Sequence, residues 1–361
     1  MKEELSKRKK KFIISAIALI VVTVVYFFGT GKLTAMLTSQ TAAQRWQGES
    51  EQKYTQLSCF VPVDQKVSLS DIYSFRQVMA AKFKEAGLDA DSGEMLSSDA
   101  WSTSGKVNVS STLGSGEVTA YAVGGDFFSF HPVKLLSGNY ITSSDLMKDR
   151  VLLDEETAWL LFGGVDVHGM GFKISDRYFV VAGVYEREDD RATKKAFTDE
   201  MSIFLSYDAF CDLTGEDEAG INCYEVVMPE PVKGFAESIA KDKFPIGRGE
   251  ILNNTDRYSP SRLMKLAYHF GERSMQNKGI MYPYWENAAR YTEDIASLLT
   301  ALCLIFAVVP AAVLSGVIIK ALLLFRQRMR EELIPELRDK TEEVFRSWAY
   351  KRRKKYSSGK H

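Results

Sequence analysis

Histidine and cysteine are the side chains best suited to metal binding or nucleophilic catalysis, and this chain has four of each. They stand far apart, at His131, His168, His269 and His361 and at Cys59, Cys211, Cys223 and Cys303. A structural zinc site needs closely spaced Cys or His ligands, and hydrolases carry recognisable Ser or His motifs. The sequence contains none of these spacings. We therefore predict no catalytic, metal-binding or cofactor-binding residues, and no enzyme activity.

Acidic runs and glycine pairs are the other patterns that could hold a cation or a phosphate. The runs at 154–156 and 189–190 lack the ligand spacing of a calcium loop and are typical of a helix N-terminus or a solvated face. The glycine pairs at 124–125 and 163–164 lack the Lys-Ser/Thr that follows a phosphate-binding loop. We expect both glycine pairs to be turns.

Two long apolar stretches, 12–31 and 295–325, lie near the two ends of the chain. Each reaches the roughly 20 residues that cross a bilayer core. Basic residues precede the first stretch and follow the second, and Lys and Arg favour the cytoplasmic side. We predict a two-pass plasma-membrane protein with cytoplasmic termini and with residues 32–294 extracytoplasmic. A cleaved signal peptide is the alternative for the first stretch, but its apolar core is longer than is usual for one.

The charge distribution agrees with this topology. The whole chain has a net charge of −1, whereas Thr30 to Asp294 alone carries −12. An acidic outer segment argues against a nucleic-acid partner. The head, 1–11, and the tail, 326–361, are basic, and the cluster from Lys351 to Lys355 suits anionic lipid. The positive-inside rule alone would also account for the basic tail.

Three cysteines, Cys59, Cys211 and Cys223, fall in the extracytoplasmic part, where a disulfide is allowed. Three pairings are possible, and three free buried thiols are equally compatible with the sequence.

Hydrophobic periodicity predicts an α+β domain over 57–294. A helical stalk, 32–56, continues the first span. Two β-α units, 57–121 and 200–250, flank a β-rich insertion, 122–190. In the first unit, Ser70-Asp71 is predicted to cap a helix over 72–86, and Gly114-Ser115-Gly116 is predicted to be a turn between two strands. In the insertion, a short helix over 155–162 is stopped by the glycine pair 163–164, and Gly183 suggests a bulge or a close backbone approach.

Two further segments carry predictions of their own. The charged run 186–195 is predicted to be a solvated loop. Residues 251–294 return to the membrane, and a helix within 253–289 places Tyr268, Tyr282, Tyr284 and Trp285 near the interface.

An ordered set of residues between Ala122 and Val184 resembles the extracytoplasmic core domain of MacB-type ABC transporter permeases, a group that includes FtsX and LolC/LolE. The matching positions are Gly125-Asp126-Phe127-Phe128, Leu135, Gly138, Asp145, Val151, Leu153, Glu155, Ala158, Leu161-Phe162-Gly163, Asp166, Gly169, Phe179, Val181, Gly183 and Val184. Asn139 stands where the family usually has Arg. The flanking segments 57–88 and 201–241 resemble the two β-α halves of the family's porter-like subdomain.

The resemblance implies a function in transmission, in which a cytoplasmic ATPase drives the membrane helices and the outer domain does work on envelope partners or cargo. Family permeases have four spans, so a two-span chain is expected to need a separate ATPase and another permease chain. The first hypothesis is a non-catalytic subunit of such a system. The alternative is a free-standing, membrane-anchored interaction module, such as a regulator of an envelope protein, that works without an ATPase.

Overall fold

A computed structural model describes residues 2–35, 37–88, 95–142, 144–196, 200–216, 219–271 and 279–357. The helices of this part are α1 (Lys2–Ala35), α2 (Ala42–Gln47), α3 (Leu69–Glu85), α4 (Phe127–Phe130), α5 (Glu155–Phe162), α6 (Arg191–Ala196), α7 (Tyr207–Thr214), α8 (Phe235–Lys243), α9 (Pro260–Tyr268), α10 (Tyr284–Arg328) and α11 (Ile334–Ser357). The strands are β1 (Tyr54–Phe60), β2 (Ser98–Ser110), β3 (Ser115–Gly125), β4 (Lys134–Gly138), β5 (Arg150–Asp154), β6 (Gly171–Ile174), β7 (Arg177–Glu186), β8 (Ser202–Ser206), β9 (Cys223–Pro229) and β10 (Glu250–Asn253). The predicted α+β class is confirmed.

The chain divides into two compact units. One comprises Met1–Phe28 with Leu302–His361, and the other is Gly29–Ala301, which we call the core domain. Two helical stretches, Lys10–Ala35 and Tyr284–Glu331, are long and apolar enough to cross a membrane. Their apolar side chains between Phe12 and Phe28 and between Leu302 and Phe325 are largely exposed, as expected for surfaces that contact lipid. Two apolar helices therefore flank the core domain.

One of the two parts of the core domain, built from the first two and the last two strands of the chain, is a split β-α-β fold. Its strands lie in the order β10-β1-β9-β2, and α3 connects β1 to β2 just as α8 connects β9 to β10. The two helices pack on one face of these strands through Ile72, Phe75, Met79, Ile239 and Ala240. This order is that of the ferredoxin-like motif, in which two β-α-β units interleave.

In the other part of the core domain, the paired strands form a closed ring. Hydrogen-bonded pairs run from β2 to β3, β8, β5, β7 and β6, and β6 returns to β2. The ring can close because β2 is long enough to pair with two strands on the same side. Its residues 98–102 pair with β9, and its residues 109–110 pair with β6. A closed ring leaves few free strand edges. The predicted boundary at 121/122 lies inside β3. The subdivision into two porter-like halves and an insertion stays a prediction.

Local sequence signals set the ends of the helices. Ser68 and Asp71 form a reciprocal capping box at the start of α3, two residues earlier than the predicted cap at Ser70. At α5, the Asp154 side chain accepts a hydrogen bond from the backbone N–H of Thr157, and Gly163 ends the helix at φ +72°. The acidic run 154–156 is thus a helix N-terminus, one of its two predicted roles.

The predicted stalk helix over 32–56 is wrong. Helix α1 ends at Ala35, a 3₁₀ turn follows at Thr38–Gln40, and α2 covers only Ala42–Gln47. Leu37, Ala42 and Ala43 are buried in the core domain. Burial against the domain therefore overrides the helix propensity of this segment, which does not stand free as a stalk.

The predicted solvated loop over 186–195 is also wrong. Its second half forms α6, and Thr193 is 1% exposed. Arg187 pairs with the fully buried Asp154, and Asp190 accepts hydrogen bonds from the N–H groups of Ala192 and Thr193. Arg187 and Asp190 are thus partnered inside the fold, although the side chains at 189, 191, 194 and 195 are exposed, so a high charge content did not signal solvation of the whole segment.

The return segment differs in part from the prediction of a helix over 253–289. Helix α9 and the start of α10 lie in it, and its residues 272–278 lie outside the described part. Tyr268 is exposed, whereas Tyr284 and Trp285 are buried in the core domain and Tyr282 is half-buried. The two buried rings therefore belong to the hydrophobic core of the domain and do not lie at a membrane interface.

The cysteines Cys59, Cys211 and Cys223 are free and buried. Cys59 and Cys223 lie on neighbouring strands, where Phe60 is opposite Cys223, so their side chains point to opposite faces of the sheet. Burial raises the pKa of both thiols, with the nearby Glu225 charge adding to it. They are therefore protonated, unreactive core residues.

Gly183 in β7 provides a test of the strand ring. The predicted bulge is confirmed, since the β5–β7 register shifts there. A Cβ at Gly183 would lie 2.7 Å from the Ser137 carbonyl oxygen and 3.0 Å from the Asn139 nitrogen. We expect Gly183→Ala to lower the free energy of unfolding of the core domain by about 1–3 kcal/mol because the backbone must move. Urea titration of tryptophan fluorescence in mild detergent measures it.

Gly171→Ala on β6 is the matched control, since the nearest atom to its added Cβ is 3.8 Å away. Equal stability of the two variants would contradict the close strand contact at Gly183.

Candidate functional site

The sheet face opposite α3 and α8 carries buried polar side chains. Side chains alternate along β1, so Leu57 and Cys59 join the helix-side core while Gln56 and Ser58 point to the other face. Ser58 lies opposite Glu225 of β9, and its hydroxyl donates a hydrogen bond of 2.6 Å to the Glu225 carboxylate. Buried polar groups must be hydrogen-bonded. Glu225 also pairs with His131, whereas Gln56 finds its partners in the segment after α1.

Arg257 is the centre of the network. It follows β10 in a turn, is 1% exposed, and its guanidinium binds the Glu286 carboxylate through two hydrogen bonds of 2.7 and 2.8 Å. It also donates to Glu293 at 3.0 Å and to Gln40 at 3.1 Å. Gln40 follows α1, whereas Glu286 and Glu293 lie on α10. One side chain therefore joins both segments to the sheet.

The electrostatics of this cluster favour a charged arginine. Burial by itself lowers the pKa of Arg257, but the charges of Glu286 and Glu293 outweigh it and hold the pKa well above its ordinary value. A buried guanidinium without its carboxylates would be strongly unfavourable. The turn after β10 and the first turns of α10 are thus held together by mutual charge compensation.

Arg290 forms a second bridge one helical turn further along α10. Its guanidinium contacts Glu286 at 2.7 Å and Glu250 of β10 at 3.0 Å, and it lies 3.8 Å from the ring centre of Tyr282. The Tyr282 hydroxyl donates to Glu250, and burial together with this hydrogen bond raises the pKa of the tyrosine. Glu286 is therefore shared by two arginines, one from the turn and one from its own helix.

Aromatic rings hold the first turn of α10 from the side. Trp285 packs against Tyr121, Phe127 and His131, with ring centroids 4.6–5.8 Å apart. Tyr284 also contacts Tyr121. His131 in turn pairs with the buried Glu225. Such ring contacts add stability beyond their buried area, so the start of α10 is fixed on both its polar and its apolar side.

The segment that follows α1 has its own attachments. The fully buried Gln56 side chain donates to the Ser39 carbonyl at 2.7 Å and accepts from the Ala42 N–H at 3.0 Å. Leu37 packs with Ala288 and Ala289 of α10 in one apolar cluster. The two segments therefore touch each other as well as the sheet.

Glu188 links the charged segment before α6 to the segment that follows α1. Its carboxylate accepts hydrogen bonds from Thr38 and Thr193 at 3.4 and 3.2 Å. Burial raises the pKa of Glu188, and these hydrogen bonds only partly oppose the rise. We call Leu37, Gln40, Glu188, Arg257 and the 284–293 part of α10, with their partners, the junction.

The junction is built from polar and aromatic contacts. It contains buried ion pairs, hydrogen bonds and stacked rings, and its one histidine, His131, is closed in by Trp285 and Glu225. Among the residues that the structure describes, no group of three or more His, Cys, Asp and Glu could hold a metal ion.

Sequence reasoning did not find the junction. Glu286 and Glu293 lie seven residues apart, about two helical turns, directly before an apolar helix. Polar residues alternate with apolar ones along Gln56 to Cys59. Both signals were available. Arg257 itself carries no local signal, because its partners are distant in sequence.

Comparison with known proteins now places the fold. A family model for the MacB-like periplasmic core domain matches residues 13–228, more than half of the chain. The chain belongs to this family. The resemblance noted over Ala122 to Val184 lies inside the matched range and is confirmed. No curated protein matches the chain significantly.

Two solved structures are similar to this MacB-like chain. The periplasmic region of MacB from Actinobacillus actinomycetemcomitans is 17% identical with a TM-score of 0.40, and the match covers 55% of this chain and 89% of that one. The extracellular domain of the noncanonic ABC-type transporter YknZ from Gram-positive bacteria is 12% identical with a TM-score of 0.37, and the match covers 56% and 100%. The MacB-like periplasmic core domain is a domain of ABC-type transporter permeases.

Removing the central arginine should unfold the junction of this MacB-like domain. We expect Arg257→Met to lower the free energy of unfolding by about 3–5 kcal/mol, because Glu286 would stay buried without its main counter-charge. Arg248→Met is the control, since Arg248 forms an exposed pair with Asp64 worth at most about 1 kcal/mol. Urea titration in mild detergent compares them, and equal effects would show that Arg257 is not the centre of the network.

The buried Glu188 should make stability depend on pH. Since its pKa is raised in the folded state, its ionised form destabilises the fold, and stability is lost as pH rises through that value. We expect Glu188→Gln to unfold at a higher temperature than the wild type at pH 8, with the difference shrinking as pH falls toward 4.5. Thermal unfolding across this range measures it.

Glu117→Gln, on an exposed position of β3, is the control for the Glu188 comparison. A difference between Glu188→Gln and the wild type that stays constant with pH would contradict the burial of an ionisable Glu188.

Proposed function

We propose that this chain is a non-catalytic membrane subunit of a MacB/FtsX-like ABC transport or mechanotransmission system. The observation that carries the proposal is the convergence of both membrane-connecting segments on Arg257. Membership of a permease family supplies the context. In this role the helices carry motion to the core domain, and the core domain acts on an envelope protein or an exported substrate.

We propose that the energy source is another chain. The sequence contains no phosphate-binding loop with its Lys-Ser/Thr. The proposal therefore includes a separate cytoplasmic ATPase of the ABC class, together with another permease chain to complete the membrane part. The junction supports this role because ion pairs and stacked rings that fix a helix to a sheet pass on its displacement.

The orientation is part of the proposal. Basic residues lie outside both apolar stretches, and the segment between them carries a net charge of −12. The positive-inside rule then places both termini in the cytoplasm and the core domain outside. This arrangement puts the proposed ATPase contact and the envelope contact on opposite sides of the membrane.

The functional test is capture of the tagged full-length chain from native membranes in mild detergent. We expect an ABC ATPase to co-purify. Hydrogen–deuterium exchange on the captured complex should then change at residues 254–259 and 284–301 when ATP and vanadate are added, because the junction takes up the load.

The Arg248→Met variant should capture the ATPase and show the same exchange response. Absence of an ATPase at native expression level would overturn the proposal and favour the free-standing interaction module. An ATPase that co-purifies without any exchange change at the junction would contradict the mechanical role of Arg257.

Orientation can be tested with two single cysteines. Leu146 of the core domain is 94% exposed and Val344 of α11 is also exposed, whereas three of the four native cysteines are buried. In a Cys303→Ser background, we expect an impermeant maleimide to label Leu146→Cys on intact cells, and Val344→Cys only after permeabilisation. Labelling of Val344→Cys on intact cells would overturn the two-pass topology.

A further inference from the structure

The tail helix α11 has one apolar side. Ile334, Leu337, Val344, Phe345 and Trp348 lie at helical spacing, with the polar Thr341 between Leu337 and Val344, and fall within an arc of about 100° around the helix axis. Each of these apolar side chains is more than half exposed. An apolar stripe of this width is typical of a helix that lies against another surface.

Positive charge follows directly after the apolar stripe. Lys351 to Lys355 is a run of five basic residues that begins within one helical turn of Trp348. An aromatic and aliphatic face next to dense positive charge is the pattern of helices that lie in the interface of an anionic bilayer. Acidic residues at 336, 339, 342 and 343 confine the net positive charge to the C-terminal end of the helix.

The way in which α11 is attached to the rest of the chain also favours contact with a bilayer surface. A π-helical turn, Met329–Leu333, is all that separates α11 from the apolar helix α10. Such a short tether keeps the local concentration of lipid headgroups around α11 high. The same stripe could form a coiled coil with a second copy, but in a parallel pair the two five-residue basic runs would repel each other.

We propose that α11 binds along the surface of a bilayer that contains anionic phospholipids, with its apolar stripe in the interface and its basic run among the headgroups. The inference does not depend on an ATPase partner. It adds a lipid-sensing contact to a protein whose other features concern the core domain.

The test places an environment-sensitive fluorophore on Val344→Cys in the full-length chain, in a Cys303→Ser background and in lipid nanodiscs. Discs of phosphatidylcholine alone are compared with discs that also contain phosphatidylglycerol. We expect a blue shift of emission and quenching by lipid-borne quenchers only with phosphatidylglycerol, and loss of both effects at 1 M salt, where the Debye length is about 3 Å. Glu342→Cys, about 160° away around the helix, is the matched control and should show neither effect.

A variant with Lys351 to Lys355 changed to Gln should lose the dependence on phosphatidylglycerol while the thermal unfolding of its core domain stays unchanged. Equal emission at position 344 in both lipids would overturn the proposal. Energy transfer between two labelled copies that accompanies the blue shift, independent of lipid charge, would assign the stripe to a helix pair and overturn it as well.

Discussion

A buried arginine imposes the strictest constraint on this fold. Arg257 cannot be buried unless carboxylates surround it, and its carboxylates come from α10. Its fourth hydrogen bond goes to Gln40, beyond the end of α1. The turn after β10, the start of α10 and the exit from α1 must therefore be in place together, and the polar face of β1 and β9 is arranged around that meeting point.

The elements that depend on local pattern could be predicted from the sequence. Helix α5 was predicted with its observed ends because an acidic N-terminus and a glycine stop are local signals. The β2–β3 hairpin and the bulge at Gly183 followed from turn residues and strand alternation in the same way. The residues between Ala122 and Val184 that match the MacB-type family added the family to this fold class, because they mark these same turns and strand positions.

The wrong predictions concern segments whose partners are distant in sequence. The segment after α1 has helical composition, but Leu37 and Gln40 are drawn into contacts with α10 and Arg257. The charged run 186–195 looks solvated, yet Arg187 neutralises Asp154 of β5 and Glu188 reaches Thr38. Local sequence gives charge and propensity. Whether a charge is buried depends on which distant residue compensates it.

The proposed mechanical role would make use of a polar junction. Buried ion pairs add little net stability over an apolar replacement, but separating the two partners leaves an uncompensated buried charge, which is strongly destabilising. Sliding α10 by one turn, about 5.4 Å, would carry Glu286 away from Arg257 and leave buried charge unpaired. Apolar side chains would tolerate such a shift by repacking. In the proposed role, movement of α10 along its axis would therefore carry the turn after β10 with it, and through β10 the sheet.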